Sequence, residues 1–208
     1  MASPDKNIKA FIYDMGGVVL KYSSDEIADF VKKPTSLAGE DFKLLETGVI
    51  TFEEFVEKAS DDDPFKKLFK SSEDVKQKAK LFLSSLVKDE NIEKSIKVLK
   101  ENGYKVVLLT NNFFLDKNRQ RKTVHCDVTH FDNVVESCKV GMRKPDKDIY
   151  EYTLSLLNLK PYEAVFLDDL EPNCNGAKSV GLKTIQVETN KSEDAVREIE
   201  QLTGLSIL

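Results

Sequence analysis

The chain has 208 residues, of which 40% are hydrophobic and 32% charged, with a formal net charge of -5. That length supports one sizeable core with room for an inserted subdomain, and the balance is that of an ordinary folded protein. A net negative charge argues against broad attraction to nucleic acid or an anionic membrane, so any phosphate site needs its own local cations. No apolar run approaches the roughly 20 residues of a membrane helix, and the opening "MASPDKNIKA" lacks the basic start and apolar stretch of a signal peptide. Three cysteines (Cys126, Cys138, Cys174) show no CxxC spacing, and there are only two histidines, His125 and His130. A disulfide framework and a zinc site are therefore not expected, and a reducing cytoplasmic setting is.

In chain order, "IKAFIYD" (8–14) reads as a short buried strand that ends on Asp14 and runs into Gly16 and Gly17. Residues 21–88 contain no strand-like run and several helical ones. "TFEEFVEKA" opens with Thr51 and Glu54 at capping-box spacing and carries Phe52, Phe55 and Val56 inward, and "DVKQKAKLFLSSLV" keeps the same period. "DENIEKSIKVLKENG" (89–103) places Ile92, Ile96 and Leu99 on one face and stops at Gly103. "KVVLLT" (105–110) and "AVFLDD" (164–169) repeat the character of the first strand, with weaker strands at "FDNVVES" (131–137) and "GLKTIQV" (181–187). Between them, "KDIYEYTLSLLNL" aligns Ile149, Tyr152, Leu156 and Leu157 on one stripe, and Pro172 to Gly181 brackets another helix. The basic stretch "DKNRQRKTVH" (116–125) reads as a solvated helix face. Apolar strands alternating with helices predict an α/β doubly wound, three-layer, Rossmann-like parallel sheet. The core would comprise 1–20 and 89–208, with 21–88 inserted as a helical cap.

Ligands of such sheets bind beyond the carboxyl ends of the strands. Asp14 stands there after the first strand, Thr110 with Asn111 and Asn112 after "VVLL", and Asp168 with Asp169 after "VFL". Lys144, in "GMRKPD", precedes a helix. Taken singly, each has an ordinary reading: a turn residue, a helix N-cap, a solvated lysine, an acid pair at a helix start. Together, three carboxylates converging on one sheet edge would repel unless a cation sat among them, and hard oxygen ligands suit Mg²⁺.

The motifs "FIYDMGGVV", "VVLLTNN", the lysine of "GMRKPD" and "VFLDDLEPN" resemble, in order, those of the haloacid dehalogenase superfamily of phosphohydrolases. The stretch from "ESCKVGMRKPDKDIY" to "GLKTI" is similar to the phosphatase domain at the N-terminus of soluble epoxide hydrolases and to the related domain of an acyl-CoA dehydrogenase family protein. The resemblance implies a Mg²⁺-dependent phosphatase acting on a small phosphate ester, as a monomer or homodimer. It implies Asp14 as nucleophile, and Thr110 with the Asn111 amide holding phosphoryl oxygens. Lys144 would neutralise nucleophile and phosphoryl group. Asp169 would bind the metal with the Gly16 carbonyl and Asp14, Asp168 would act on the metal's waters or on Lys144, and Asn112 and Asn173 would support. Receiver domains of two-component signalling also use an acid pair, a phosphorylated Asp, a Thr and a Lys, but their pair precedes the nucleophile. Family phosphatases carry a second aspartate two residues after the nucleophile as general acid, and here that position is Gly16. Three readings follow: a phosphatase with a substitute acid, a catalytically degenerate binding or regulatory module, or another transfer on the same nucleophile.

Overall fold

The computed structural model describes residues 4–23, 25, 28, 39–58 and 86–208. In chain order its elements are β1 (Ala10–Tyr13), β2 (Leu20–Tyr22), α1 (Glu40–Glu46), α2 (Phe52–Lys58), β3 (Leu86–Lys88) and α3 (Glu90–Glu101). They continue with β4 (Lys105–Thr110), β5 (Asn133–Glu136), α4 (Ser137–Val140), α5 (Lys147–Leu157), β6 (Ala164–Asp168), α6 (Glu171–Ser179), β7 (Lys183–Gln186) and α7 (Ser192–Thr203).

Five strands pair in parallel in the order β5-β4-β1-β6-β7. The continuous apolar runs explain why. Successive side chains of a strand point to opposite faces, so a strand covered on both faces is apolar at every position. Phe11 and Tyr13 of β1, Val106 and Leu108 of β4, and Val165 and Leu167 of β6 pack against Ile92, Ile96 and Leu99 of α3 and Val196 and Ile199 of α7. Their neighbours Ala10, Ile12, Val107, Leu109, Ala164 and Phe166 pack against Ile149, Tyr150 and Leu154 of α5 and Ala177 of α6. The result is the three-layer, doubly wound α/β fold. Chain order reverses at β1, where β4 lies on one side and β6 on the other, so the carboxyl ends of these three strands form the switch point at which such sheets bind ligands.

Local signals place the helices. Asp89 caps α3 by accepting hydrogen bonds from the Asn91 and Ile92 N–H groups at 3.1 Å. Thr51 and Glu54 form the expected capping box: the Thr51 N–H donates to Glu54 Oε2 at 2.8 Å, and the Glu54 N–H donates to Thr51 Oγ1 at 3.3 Å.

Several expectations need correction. Residues 21–88 are not strand-free: β2 and β3 pair antiparallel beside the switch point, Leu20 opposite Lys88 and Tyr22 opposite Leu86. The helical reading of "DVKQKAKLFLSSLV" therefore fails at its end, where Leu86 and Val87 belong to β3, and residues 74–85 lie outside the described residues, as does the side chain of Val56. On α5 the buried residues are Ile149, Tyr150, Thr153 and Leu154, while Leu156 is 45% exposed. The spacing is helical, but the face is turned, because the Tyr150 hydroxyl finds a buried acceptor in the Asn173 carbonyl at 2.8 Å. Residues 116–125 form a loop rather than a helix. There Lys117 Nζ pairs with Glu57 of α2 at 2.8 Å and the Arg119 guanidinium donates to the Val49 carbonyl.

Phe42, Leu45, Ile50, Phe52 and Phe55 form a separate apolar cluster in which α1 meets α2, and Phe113 from the loop after β4 packs against it. The Phe52 and Phe113 rings stack at 5.3 Å. Backbone bonds from Phe52 N to Phe114 O (2.8 Å) and from Glu53 N to Leu115 O (3.3 Å) fasten α2 to the loop after β4.

Candidate active site

The carboxyl ends of β1, β4 and β6 bring together the acids and the lysine that lie far apart in sequence. Lys144 is 1% exposed, and its ammonium lies 2.8 Å from Asp14 Oδ1 and 2.7 Å from Asp168 Oδ2, and donates to the Leu109 carbonyl at 3.2 Å. A lysine this deep stays charged only if paired. Burial disfavours its ammonium, but Asp14 and Asp168 together outweigh burial and hold its pKa above the ordinary lysine value.

Asp14 follows β1 directly. Its N–H donates to the Leu167 carbonyl of β6 at 2.9 Å, which locks the backbone of the loop to the neighbouring strand. Its Oδ1 accepts from the Met15 N–H at 2.7 Å as well as from Lys144. Burial pushes the Asp14 carboxyl up, to about 7, against the pull of Lys144, and the Asp168 charge adds to the rise. Asp168 is held on every side: Lys144 on Oδ2, the Leu170 N–H on Oδ1 at 2.9 Å, and the Asn173 amide on both oxygens at 3.0 and 3.1 Å.

Asp14, Asp168 and Asp169 each present a carboxylate oxygen within 4.8 Å of the other two, and all three residues are buried. Among the described residues one ammonium, Lys144, stands against these three acids, so full ionisation leaves a surplus of two negative charges. Hard oxygen donors and that surplus fit one small divalent cation. The loop after β1 is shaped to the same cluster. Gly17 has φ +78, and a Cβ there would lie 2.3 Å from the Asp169 carboxyl carbon. Only glycine lets this loop press against that carboxylate.

Thr110 is buried at the end of β4, its hydroxyl 3.4 Å from the Asn111 carbonyl, and no described helix starts there for it to cap. The Asn111 side chain grips the backbone of Lys144 in both directions, donating to its carbonyl and accepting from its N–H, each at 2.9 Å. That clamp sets the lysine's position from a strand 33 residues away in sequence. Asn112 turns away from the acids: its amide donates to Glu136 Oε2 at 2.7 Å, its N–H donates to Ser137 Oγ, and its Oδ1 accepts from the Cys138 thiol. Gly16 makes a bridge with Leu20.

Three neighbours of the site, Tyr22, Glu46 and Arg143, are absent from the sequence reading. A Cβ at Gly16 would meet the Tyr22 hydroxyl at 3.5 Å, so β2 lays a buried tyrosine against the position of the missing aspartate. Burial and then the charges of Asp169, Asp14 and Asp168 drive the Tyr22 phenol well above its ordinary value, so it keeps its proton. Glu46, the last residue of α1, lies with Oε2 2.8 Å from Arg143 Nε, beside Lys144. The signal for Glu46 was helical period alone: it stands four residues after Phe42 and one after Leu45, on the apolar face of α1.

A family model described as haloacid dehalogenase-like hydrolase matches residues 8–181. Bifunctional epoxide hydrolase 2 of Sus scrofa is 40% identical over 114 residues, which is 53% of this chain and 20% of that protein. Acyl-CoA dehydrogenase family member 10 of Mus musculus is 41% identical over 54% of this chain and 10% of its own length. The matched stretch thus spans a fifth or less of either relative. Sesquiterpene phosphatase astK of Aspergillus oryzae is 26% identical over 94% of this chain and 97% of its own. Among solved structures, the haloacid dehalogenase family enzyme bt-2542 of Bacteroides thetaiotaomicron, in complex with magnesium and inorganic phosphate, superposes with a TM-score of 0.64. It is 24% identical, with 91% of this chain and 98% of that one covered, a likeness of fold. With the family model spanning most of the chain and the sheet order and strand-end acids in place, the chain belongs to the haloacid dehalogenase-like hydrolases.

Proposed function

We propose that the protein is a Mg²⁺-dependent phosphatase that hydrolyses a small phosphate monoester through an aspartyl-phosphate on Asp14. The observation that carries this reading is the lysine shared between Asp14 Oδ1 and Asp168 Oδ2 inside a buried three-carboxylate cluster at the switch point. Both contacts to Asp14 described above fall on Oδ1, which leaves Oδ2 as the nucleophilic oxygen for phosphorus. Lys144 lies where it can neutralise the carboxylate before attack and the phosphoryl oxygens as charge spreads onto them. Thr110 and the backbone of Asn111, whose side chain is committed to Lys144, hold the phosphoryl oxygens. Asp169, Asp14 and the Gly16 carbonyl hold the metal, and Asp168, fixed by Asn173, orients Lys144 or the metal's waters. When bound, Mg²⁺ supplies the positive charge that lets a phosphate dianion approach a carboxylate. Residues 21–88 serve as a cap over a core of 1–20 and 89–208, and Asn112 supports the loop after β4 through Glu136. Three buried free cysteines suit a reducing cytoplasmic compartment.

One observation favours a second reading, a degenerate binding module: Gly16 has no carboxylate, and Tyr22 stands against it. Aryl, acyl and alkyl phosphates offered to the purified protein separate the two. Hydrolysis that requires Mg²⁺, stops on chelation and is abolished in Asp14→Asn supports the phosphatase. Turnover surviving Asp14→Asn removes Asp14 as nucleophile, and no turnover of any ester leaves the binding module.

A further inference from the structure

The phosphatase reading leaves one buried carboxyl beside the site without a task. Glu46 ends α1 with its side chain 10% exposed. Arg143 Nε lies 2.8 Å from Glu46 Oε2, yet that N–H donates to the Lys144 carbonyl at 3.1 Å. Among the described residues Oε2 therefore receives no hydrogen bond. A buried carboxylate oxygen without a donor is costly to keep ionised, whereas the protonated group carries its own donor.

Glu46 is placed there by construction. Two residues on, Gly48 has φ +71, and a Cβ there would lie 2.2 Å from the Cys138 carbonyl oxygen. Glycine alone allows the turn after α1 to seat this closely on α4, while Phe42 and Leu45 anchor the helix in its apolar cluster. The carboxyl then faces Arg143 and Lys144 from the loop before α5, Asn111 from the end of β4, and the charge of Asp14 from the loop after β1. Burial is the largest influence on it and pushes it up to about 7, with Arg143, Lys144 and Asn111 pulling the other way.

We propose that Glu46, reaching in from α1, is the acid and base that Gly16 does not supply, a role that rests on the phosphatase reading. As Asp14 bonds to phosphorus and the ester P–O bond breaks, the departing oxygen takes the Glu46 proton and leaves as an alcohol, with Glu46 now a carboxylate. Water then attacks the phosphorus of the aspartyl-phosphate and gives its proton to Glu46. The P–O bond to Asp14 breaks, phosphate is released and Glu46 is again an acid. Because the acid sits on the inserted segment, proton transfer depends on α1 being docked on the core. Glu46→Gln keeps the shape and removes the proton.

The test compares wild type, Glu46→Gln and Glu46→Asp on 4-nitrophenyl phosphate and on glycerol 3-phosphate with Mg²⁺. A well-stabilised leaving group needs no proton, and an alkoxide does. Glu46→Gln is expected to slow the alkyl ester by about 10²-fold or more. On the aryl ester it should give a burst of nitrophenol followed by slow turnover, because the phosphorylated enzyme lacks its base. Glu46→Asp should recover part of both. The alkyl-to-aryl ratio of first-turnover rates is read within one preparation, so a reduced folded fraction does not alter it. Equal losses on both esters in the first turnover with no nitrophenol burst, or no loss on either, would assign Glu46 to docking α1 through Arg143 and overturn the proposal. A wild type that hydrolyses neither ester overturns the phosphatase reading itself, and Glu46's role with it.

Discussion

Lys144, Asp14 and Glu46 illustrate how far a residue's chemistry depends on neighbours that its local sequence does not contain. Lys144 by itself has the sequence of a solvated lysine, yet it is fully enclosed and shared by two carboxylates contributed by β1 and β6. Its importance was legible only because an acid, a threonine and an acid pair stood at the ends of apolar runs in a fixed order. Glu46 and Tyr22 carried no such signal, since both act across the fold through contacts that no local pattern encodes. Glu46 also makes a prediction about stability. Its carboxyl is raised from 4.5 to about 7 in the folded chain, so between those values the folded state holds a proton that the unfolded state has lost. Stability due to this group is full below about pH 4.5 and falls as pH rises towards 7. Glutamine does not titrate. Denaturant melts of wild type and Glu46→Gln should therefore diverge in favour of the variant as pH rises from 4.5 to 7.5, by on the order of 2–3 kcal/mol. A constant gap would mean that Glu46 stays ionised against Arg143.

The strands were the easiest elements to read, because a strand buried on both faces has no polar position to confuse the period. The helices α2, α3, α5 and α6 were legible in extent, whereas α1 and α7 were not read at all, and neither was the buried side of α5. Counting apolar letters selected Tyr152 and Leu156, whereas burial follows Tyr150 and Thr153, whose hydroxyls donate to the carbonyls of Asn173 and Ile149. The short pair β2–β3 was invisible, since three-residue strands are too brief to show a period. The basic loop 116–125 carried the wrong inference from composition alone: Lys117 and Arg119 dock onto α2 and the turn before it. That docking has a measurable consequence. Phe113→Ala removes the ring stacked on Phe52, and hydrogen exchange at the Phe52 and Glu53 amides should accelerate at least about tenfold, a change equivalent to some 1.4 kcal/mol of local stability. The amides of Ile12 and Phe166, in the centre of the sheet, should be unchanged. Uniform acceleration through the sheet would mean that α2 and the core unfold as one unit.

At the scale of the whole molecule, a reversal of strand order around β1 leaves a crevice at one edge of the sheet, and the end of β1, the end of β6 and the loop before α5 bring its acids and its lysine together there. On the proposed reading, the strand ends and the loop before α5 supply the nucleophile, the lysine and the acid pair, while α1 brings the only proton carrier we assign. Under that proposal Gly16 can be tolerated, because α1 supplies the acid that the loop after β1 lacks. It also ties turnover to the seating of α1, through Gly48 on Cys138 and Glu46 on Arg143. The central claim is that phosphate passes through Asp14. Acid quenching of the protein during turnover with Mg²⁺ and a radiolabelled phosphate ester, followed by peptide mapping, tests it most directly. Label is expected on the peptide that contains Asp14, in greater amount in Glu46→Gln and not at all in Asp14→Asn. Label on a different side chain, or undiminished phosphate release by Asp14→Asn, would contradict it.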